Sequence, residues 1–110
     1  MRSRKVNDMA GQHPLADIDP IIHASARLMI LTYLYVVESA DYVFIMNMTG
    51  LTWGNLATHL NKLEEAGYIE ILKTFKGKKP HTTLRMTETG RTAFQTYKKT
   101  MQQVLGDLQD

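Results

Sequence analysis

Residues 52–86, which read TWGNLATHLNKLEEAGYIEILKTFKGKKPHTTLRM, decide the fold of this chain. In the first half, leucines recur every three or four positions, so they share one face of a helix. A threonine that can cap the helix precedes them, and a glycine that can end it follows. These residues are Thr52, Leu56, Leu60, Leu63 and Gly67. The pattern predicts a helix over about residues 53–66.

The second half of the stretch predicts a basic β-hairpin. Its two arms, Tyr68–Lys73 and Thr82–Met86, are rich in β-forming residues and flank a Gly-Lys-Lys-Pro turn. Residues 73–86 carry five positive charges and no acidic side chain. A basic hairpin that follows a helix is typical of a surface that binds a polyanion.

Two further helices are predicted before this stretch. The first should begin at Pro20, which follows two aspartates, and its apolar residues recur with helical spacing as far as about Glu38. Asp41 can cap a second helix that runs to about Met48 and ends at Gly50. Two helices joined by a turn that contains glycine form a helix-turn-helix pattern.

A last helix is predicted after the hairpin, with Thr87 as its cap. Its apolar residues are spaced 3, 4, 3 and 4 positions apart, as in a heptad seam. They are Phe94, Tyr97, Met101, Val104 and Leu108. The seam could contact a second copy of the chain or pack on its own core. We expect a dimer interface that also includes Ile22 and His23, because a terminal helix has little of a small domain left to cover it.

The charge of the chain is concentrated in the hairpin. The 110 residues form one expected domain with a net charge of only +2. Residues 41–72 nevertheless carry −3, whereas the hairpin carries +5. Because the placement of charge steers a polyanionic partner, that partner should meet the hairpin.

Composition excludes several other classes of function. The chain has no cysteine, so it has no disulfide, no catalytic thiolate and no cysteine-ligated metal. Its four histidines are scattered, and we find neither a catalytic arrangement nor a glycine-rich phosphate loop. No apolar run approaches the roughly 20 residues of a membrane helix. We therefore expect a cytoplasmic protein that is not an enzyme, with no metal, no cofactor and no membrane contact.

The predicted order of elements resembles the winged helix-turn-helix transcription regulators of the MarR-like group. Residues 51–70 resemble their recognition helix and first wing strand, and residues 78–91 resemble the second wing strand and a Thr-x-x-Gly-Arg helix start. An Ile-His-x-x-x-Arg-Leu opening at residues 22–28 resembles the short, single-domain members. The resemblance implies an α+β, mainly α fold, with a three-helix bundle, a two- or three-stranded wing and a C-terminal dimerisation helix.

The domain is expected to span residues 15–110, with the wing at about residues 68–86 and the last helix at about residues 88–108. Residues 1–14 are polar and show no periodicity, which predicts a flexible arm. Basic residues in this arm could touch nucleic acid, although a disordered tail is the favoured explanation.

The polar face of the helix over residues 53–66 should contact DNA. Acidic residues lie in its last turn, so its N-terminal half should enter the major groove. The predicted contacts are Thr52, Trp53, Gly54, Asn55, Thr58, His59 and Lys62. Trp53 could lie against the DNA backbone or could cover the helix start. Gly54 costs a helix about 1 kcal/mol relative to alanine, and a close approach of the backbone to a phosphate would explain that cost.

The hairpin supplies the other predicted contacts. Lys76, Lys78 and Lys79 surround Gly77 at its tip and suit phosphates or the minor groove, although such lysines could also form a solvated turn. Arg85 should emerge on the face opposite the core.

These patterns predict a sequence-specific regulator of transcription that binds double-stranded DNA, as a homodimeric repressor on a pseudo-palindromic operator. The alternative is a winged-helix protein-interaction module without DNA binding, which would not need so basic a hairpin. An unidentified small-molecule effector could bind near Met29, Tyr33 and Met101, although core packing explains the same residues.

Overall fold

The computed structural model of the protein describes residues 13–106 and Leu108. In chain order, the elements are a 3-10 turn (Pro14–Asp17), α1 (Ser25–Val37), β1 (Ser39–Asp41), α2 (Tyr42–Thr49), α3 (Trp53–Glu65), β2 (Ile69–Lys76), β3 (Lys79–Met86) and α4 (Glu88–Gly106). Within the described residues, four helices and a three-stranded antiparallel sheet confirm the predicted α+β, mainly α fold class. The arm predicted for residues 1–14 lies outside the described residues as far as residue 12.

Local capping sets the ends of α2 and α3. The Asp41 carboxylate accepts a hydrogen bond from the Phe44 amide at 2.7 Å, and the Thr52 hydroxyl accepts one from the Asn55 amide at 3.2 Å. Gly50 ends α2 with a φ of 72°, in the left-handed region that favours glycine. The turn between the two helices therefore depends on the residues whose sequence pattern predicted it.

The first helix, α1, begins later than the predicted start at Pro20. The Asp19 carboxylate accepts the amides of Ile21 and Ile22 at 2.8 and 3.3 Å, which closes a separate single turn. Ala24 is extended, with φ −145° and ψ 126°, so the helix does not continue through it. This break turns Ile22 into the core, where its side chain is 0% exposed.

The three strands lie in the order β1-β3-β2. Residues 39–41 show no strand pattern of their own, and they become β1 because they pair with residues 83–85 of β3. β2 and β3 extend closer to the tip than predicted and meet at a two-residue turn, Gly77-Lys78. Gly77 has a φ of 67°, while Lys78 has no positive φ, which is the pattern of a type II′ hairpin turn. The wing is therefore a regular ribbon up to its last two residues.

One buried cluster joins all four helices to the inner face of the sheet. It contains Ile22, Ile30, Leu31, Leu34, Tyr42, Ile45, Leu56, Leu60, Leu63, Ile69, Leu84, Met86, Phe94 and Tyr97. The start of α4 lies so close to β2 that a Cβ at Gly90 would be 2.1 Å from the Tyr68 carbonyl oxygen. The absence of a side chain at Gly90 therefore allows α4 to pack against the base of the wing.

The turn at residues 19–23 is attached to both the sheet and α4. The Asp19 carboxylate accepts a hydrogen bond from the hydroxyl of Tyr68, directly before β2. Burial and this bond raise the pKa of Tyr68 to about 12, so the hydroxyl keeps its proton. On the other side, His23 Nδ1 lies 2.9 Å from the hydroxyl of Tyr97 in α4. The turn is thus held from two directions by side-chain hydrogen bonds.

Candidate nucleic-acid interface

The helix α3 buries its leucines and exposes the polar half predicted to contact DNA. Leu56, Leu60 and Leu63 are at most 1% exposed. The predicted contacts that are exposed are Thr52, Trp53, Gly54, Asn55, Thr58 and Lys62. Their contact with DNA stays a prediction, and the surface that it requires is present.

The backbone at the start of α3 is open to the outside. The Asn55 amide donates to the Thr52 hydroxyl, and the Leu56 amide donates to the Thr52 carbonyl at 2.9 Å. The amides of Trp53 and Gly54 precede the first helical hydrogen bond, so helix geometry gives them no acceptor within α3. A Cβ at Gly54 would meet nothing within 4 Å. Packing inside the protein therefore does not require glycine here, and an external acceptor can approach these amides.

Trp53 combines the two roles that the sequence left open. Its ring packs on that of Tyr42, with the centroids 4.3 Å apart and the planes tilted by 35°. The Tyr42 hydroxyl donates to the Trp53 carbonyl at 2.6 Å, and burial raises the pKa of this tyrosine. The indole is nevertheless 61% exposed. Trp53 therefore covers Tyr42 with part of its surface and presents the rest to the outside.

His59 is turned toward α1 rather than outward. Its Nδ1 lies 3.2 Å from Arg27 Nη1, while Arg27 Nε donates to the Ile21 carbonyl at 2.6 Å. A guanidinium has no acceptor, so His59 Nδ1 accepts and its Nε2 carries the proton. Burial, Arg27 and Lys62 lower the pKa of His59, which favours the neutral ring. The structure thus assigns His59 a contact within the protein that its predicted DNA role did not include.

The tip of the wing gathers the three predicted lysines. Lys76 and Lys79 pair across the strands, with Lys78 in the turn between them, and all three side chains are exposed. Residues 73–84 of the hairpin include no acidic side chain, so nothing within the ribbon neutralises this charge. The tip is therefore a projecting cationic end, as a phosphate contact requires.

Arg85 is not brought together with the tip lysines. It pairs with Glu70 across the strands, and its Nη2 lies 2.9 Å from Glu70 Oε2. Six residues separate Arg85 from Lys79, which corresponds to about 20 Å along a strand. Its predicted position opposite the core is correct, but the guanidinium belongs to an ion pair at the base of the wing.

A cleft of about 440 Å³ separates α3 from the inner face of the wing. Its polar lining includes Asn61 of α3 together with Lys73 and Thr82, which pair across β2 and β3. The sequence did not distinguish Lys73 from the other hairpin lysines. The signal was available, because Lys73 continues the alternate positions of the two buried-side isoleucines, Ile69 and Ile71.

The predicted dimer seam divides into two halves. Ile22 is 0% exposed and packs in the core of its own chain, so its predicted place at an interface is wrong. Phe94 and Tyr97 are 9% and 7% exposed and also serve this core, which was the alternative considered for them. Beyond them, Met101 and Val104 are half-buried, and Leu108 is 69% exposed. The second half of the seam keeps most of the surface for another molecule, although Phe94 and Tyr97 also line the adjoining groove.

That second half borders an open apolar groove of about 700 Å³. Leu28 of α1 and Met101 and Leu105 of α4 contribute to its walls. His23 is exposed beside it at the start of the domain. Met29 and Tyr33, the other residues suggested for an effector, are half-buried, and Tyr33 packs against the core.

The part of the chain that the structure describes contains no group of three or more histidine or carboxylate side chains that could hold a metal ion. None of its helices is long and apolar enough to cross a membrane.

Comparison with other sequences gives two findings. A model of the family described as winged helix DNA-binding domain matches residues 26–105. The uncharacterized protein MJ0432 of Methanocaldococcus jannaschii is 36% identical over 77 residues, which cover 70% of this chain and 84% of that protein.

Comparison with solved structures shows the same fold. The structure of a transcriptional regulator homologue from Pyrococcus horikoshii OT3 is similar with a TM-score of 0.72 and 23% identity, over 96% of this chain and 99% of that one. A mutant MarR from E. coli, complexed with operator DNA, is similar with a TM-score of 0.63 and 17% identity, over 97% and 79% of the two chains.

Proposed function

Since the chain belongs to the winged helix DNA-binding domain family, we propose that it binds double-stranded DNA sequence-specifically, as a homodimeric repressor on a pseudo-palindromic operator. The family match and the shared fold support a DNA-binding transcriptional regulator of MarR-like type, which the sequence resemblance implied, and they favour this role over that of an enzyme.

The observation that carries this proposal is the open backbone at Gly54. A glycine in a helix lowers stability by about 1 kcal/mol relative to alanine. The chain gains nothing from it internally, since a Cβ there would meet nothing within 4 Å. The amides of a helix start favour anions, and Asn55 and Thr58 stand beside them on the exposed face. A phosphate held at this point would place those side chains at the base edges of the major groove.

The homodimer is supported by the apolar groove along α4. A groove of about 700 Å³ lined by Leu28, Met101 and Leu105 is suited to the same surface of a second copy. Two copies related by a two-fold axis would present two α3 helices to one duplex. Their half-sites would then lie about one helical turn apart, roughly 10 bp.

The wing assignment is tested by charge removal. In the double variant Lys78→Ala/Lys79→Ala, affinity should fall similarly on every sequence, because these lysines would contact phosphates. The slope of log K against log salt should decrease by about 3.6 for the dimer, or about 0.9 for each of the four lost contacts. Fluorescence anisotropy with labelled duplexes at several salt concentrations measures both quantities.

The control is Lys99→Ala, which removes a positive charge from an exposed position on α4 that does not line the apolar groove. It should leave the slope nearly unchanged, while Asn55→Ala should change sequence preference instead. An unchanged slope in the wing variant would show that the tip does not touch DNA. If the wild type prefers no sequence over random duplex at any salt concentration, the protein-interaction module becomes the better account.

A further inference from the structure

An exposed aromatic ring lies immediately behind the wing tip. Phe75 is 74% exposed although it belongs to a regular strand. A single exposed apolar residue is common on protein surfaces and has no meaning by itself. The meaning of Phe75 depends on its neighbours on the same face of the ribbon, which are Lys73, Pro80 and Thr82.

The strand register places Phe75 directly opposite Pro80. Lys76 and Lys79 close a two-residue hairpin, so they form a hydrogen-bonded pair, and the next pair inward is not hydrogen-bonded. Side chains approach more closely at such a pair, and a proline there removes no bond of the ladder. Phe75 and Pro80 therefore form a stiff apolar ridge across the ribbon.

This ridge lies on the face of the ribbon that is turned toward α3. Alternation along the strands puts Phe75 on the face of Lys73 and Pro80 on the face of Thr82, and both of those residues line the cleft beside α3. Pro80 and Trp53 also line a second, smaller cavity of about 210 Å³. The ridge consequently lies on the α3 side of the wing, near the exposed Trp53 at the start of α3.

The surrounding charge selects a polyanion as the occupant. Lys73, Lys76, Lys78 and Lys79 are all within four positions of Phe75 and are exposed. Lys73 shares its face of the ribbon, Lys78 lies in the turn, and Lys76 and Lys79 lie on the opposite face. Phosphates are sufficient partners for the lysines. The apolar ridge beside them needs, in addition, an apolar surface on the same polyanion. The stacked bases of DNA supply that surface, and proteins of the minor groove insert phenylalanine or proline between base steps.

We propose that Phe75, supported by Pro80, inserts as a wedge at a base step in the minor groove and kinks the DNA. This inference rests on the proposed function, and it adds a source of specificity that needs no base-edge hydrogen bond. Pyrimidine–purine steps such as TA and CA/TG are the easiest to unstack. The wing would therefore favour a site that carries such a step where Phe75 meets it.

The test uses the full chain and 30-bp duplexes, about three helical turns, enriched by the wild-type protein from random sequence. Dyes at the two ends report bending through energy transfer, and 2-aminopurine placed at successive steps brightens where a base loses its stacking. The wild type should bend the duplex and brighten one step on each flank. Phe75→Ala should abolish both signals and weaken binding roughly 5- to 150-fold for each wedge, the range of one base–aromatic stack.

Two variants make the result specific to a wedge. Phe75→Leu keeps an apolar wedge and should retain most of the bend. Leu72→Ala removes an apolar residue that is 38% exposed on the opposite face of the same strand, and it should behave like the wild type. Because Phe75 is exposed, its replacement should leave the unfolding midpoint unchanged.

The failures of the two proposals are distinguishable. A wild type that enriches no duplex overturns both of them. Tight binding to a straight duplex, or a bend that persists in Phe75→Ala, overturns the wedge alone. A change of molecular mass in Phe75→Ala, measured by light scattering, would instead assign the ring to a contact between copies of the chain. Weaker binding to anionic vesicles in Phe75→Ala, with DNA affinity and bending unchanged, would assign the ring to a membrane surface.

Discussion

Replacement of Gly54 by alanine should change stability and DNA affinity in opposite directions. Alanine is favoured over glycine within a helix by up to about 1 kcal/mol, and the new methyl group meets nothing within 4 Å. We expect a gain of about 0.5–1 kcal/mol in the free energy of unfolding. With a urea m-value of about 1.5 kcal/mol/M, the unfolding midpoint should rise by roughly 0.3–0.7 M.

The same methyl group should obstruct a phosphate. It would stand beside the amides of Trp53 and Gly54, which an external acceptor must approach to hydrogen-bond distance. Loss of one hydrogen bond to a charged group costs about 1.5–3 kcal/mol, which corresponds to roughly 10- to 150-fold weaker binding. Anisotropy titration at one fixed salt concentration measures this change.

Thr96→Ala is the control, since Thr96 is an exposed helical position and alanine is also favoured over threonine in a helix. Because Thr96 does not line the apolar groove, this change should leave DNA affinity unchanged. Wild-type affinity in Gly54→Ala would refute the close approach of the backbone. A loss of stability in that variant would refute the conclusion that the space beside Gly54 is free.

Two further changes test packing and electrostatics. Gly90→Ala brings a Cβ to 2.1 Å from the Tyr68 carbonyl oxygen, so α4 must shift, and urea unfolding should show a loss of about 2–3 kcal/mol; wild-type stability would contradict this packing. The pKa of His59 lies below its ordinary 6.5, so below that pH the unfolded state binds more protons and stability falls. His59→Gln should remove this share of the pH dependence between about pH 7 and pH 5, and an unchanged dependence would refute it.

Local signals in the sequence predicted the helices and their caps. Asp41, Gly50 and Thr52 act within three residues of themselves, so their roles do not depend on the rest of the fold. The hairpin is local for the same reason, because its turn and its register lie within one short stretch. Such features follow from backbone chemistry that the sequence displays directly.

Contacts between distant segments account for what the sequence did not predict. Asp19 is equally suited to cap a long helix or to close a single turn. In the structure it closes a single turn, and this segment is also bonded to Tyr68 and Arg27. The apolar residues from Phe94 to Leu108 keep the same spacing throughout. They are nevertheless buried at the start of α4 and become exposed toward its end. The sequence did not single out Phe75, because its role depends on pairing with Pro80 across the strands.

The turn at residues 19–23 has a mechanical consequence. Asp19 is bonded to Tyr68 beside the wing, and His23 lies within hydrogen-bond distance of Tyr97 in α4. Arg27 connects the carbonyl of this turn to His59 in α3. Hydrogen bonds thus connect one five-residue segment, directly or through Arg27, to α3, the wing and α4. A displacement of the far end of α4 should therefore tilt α3 and the wing together with it.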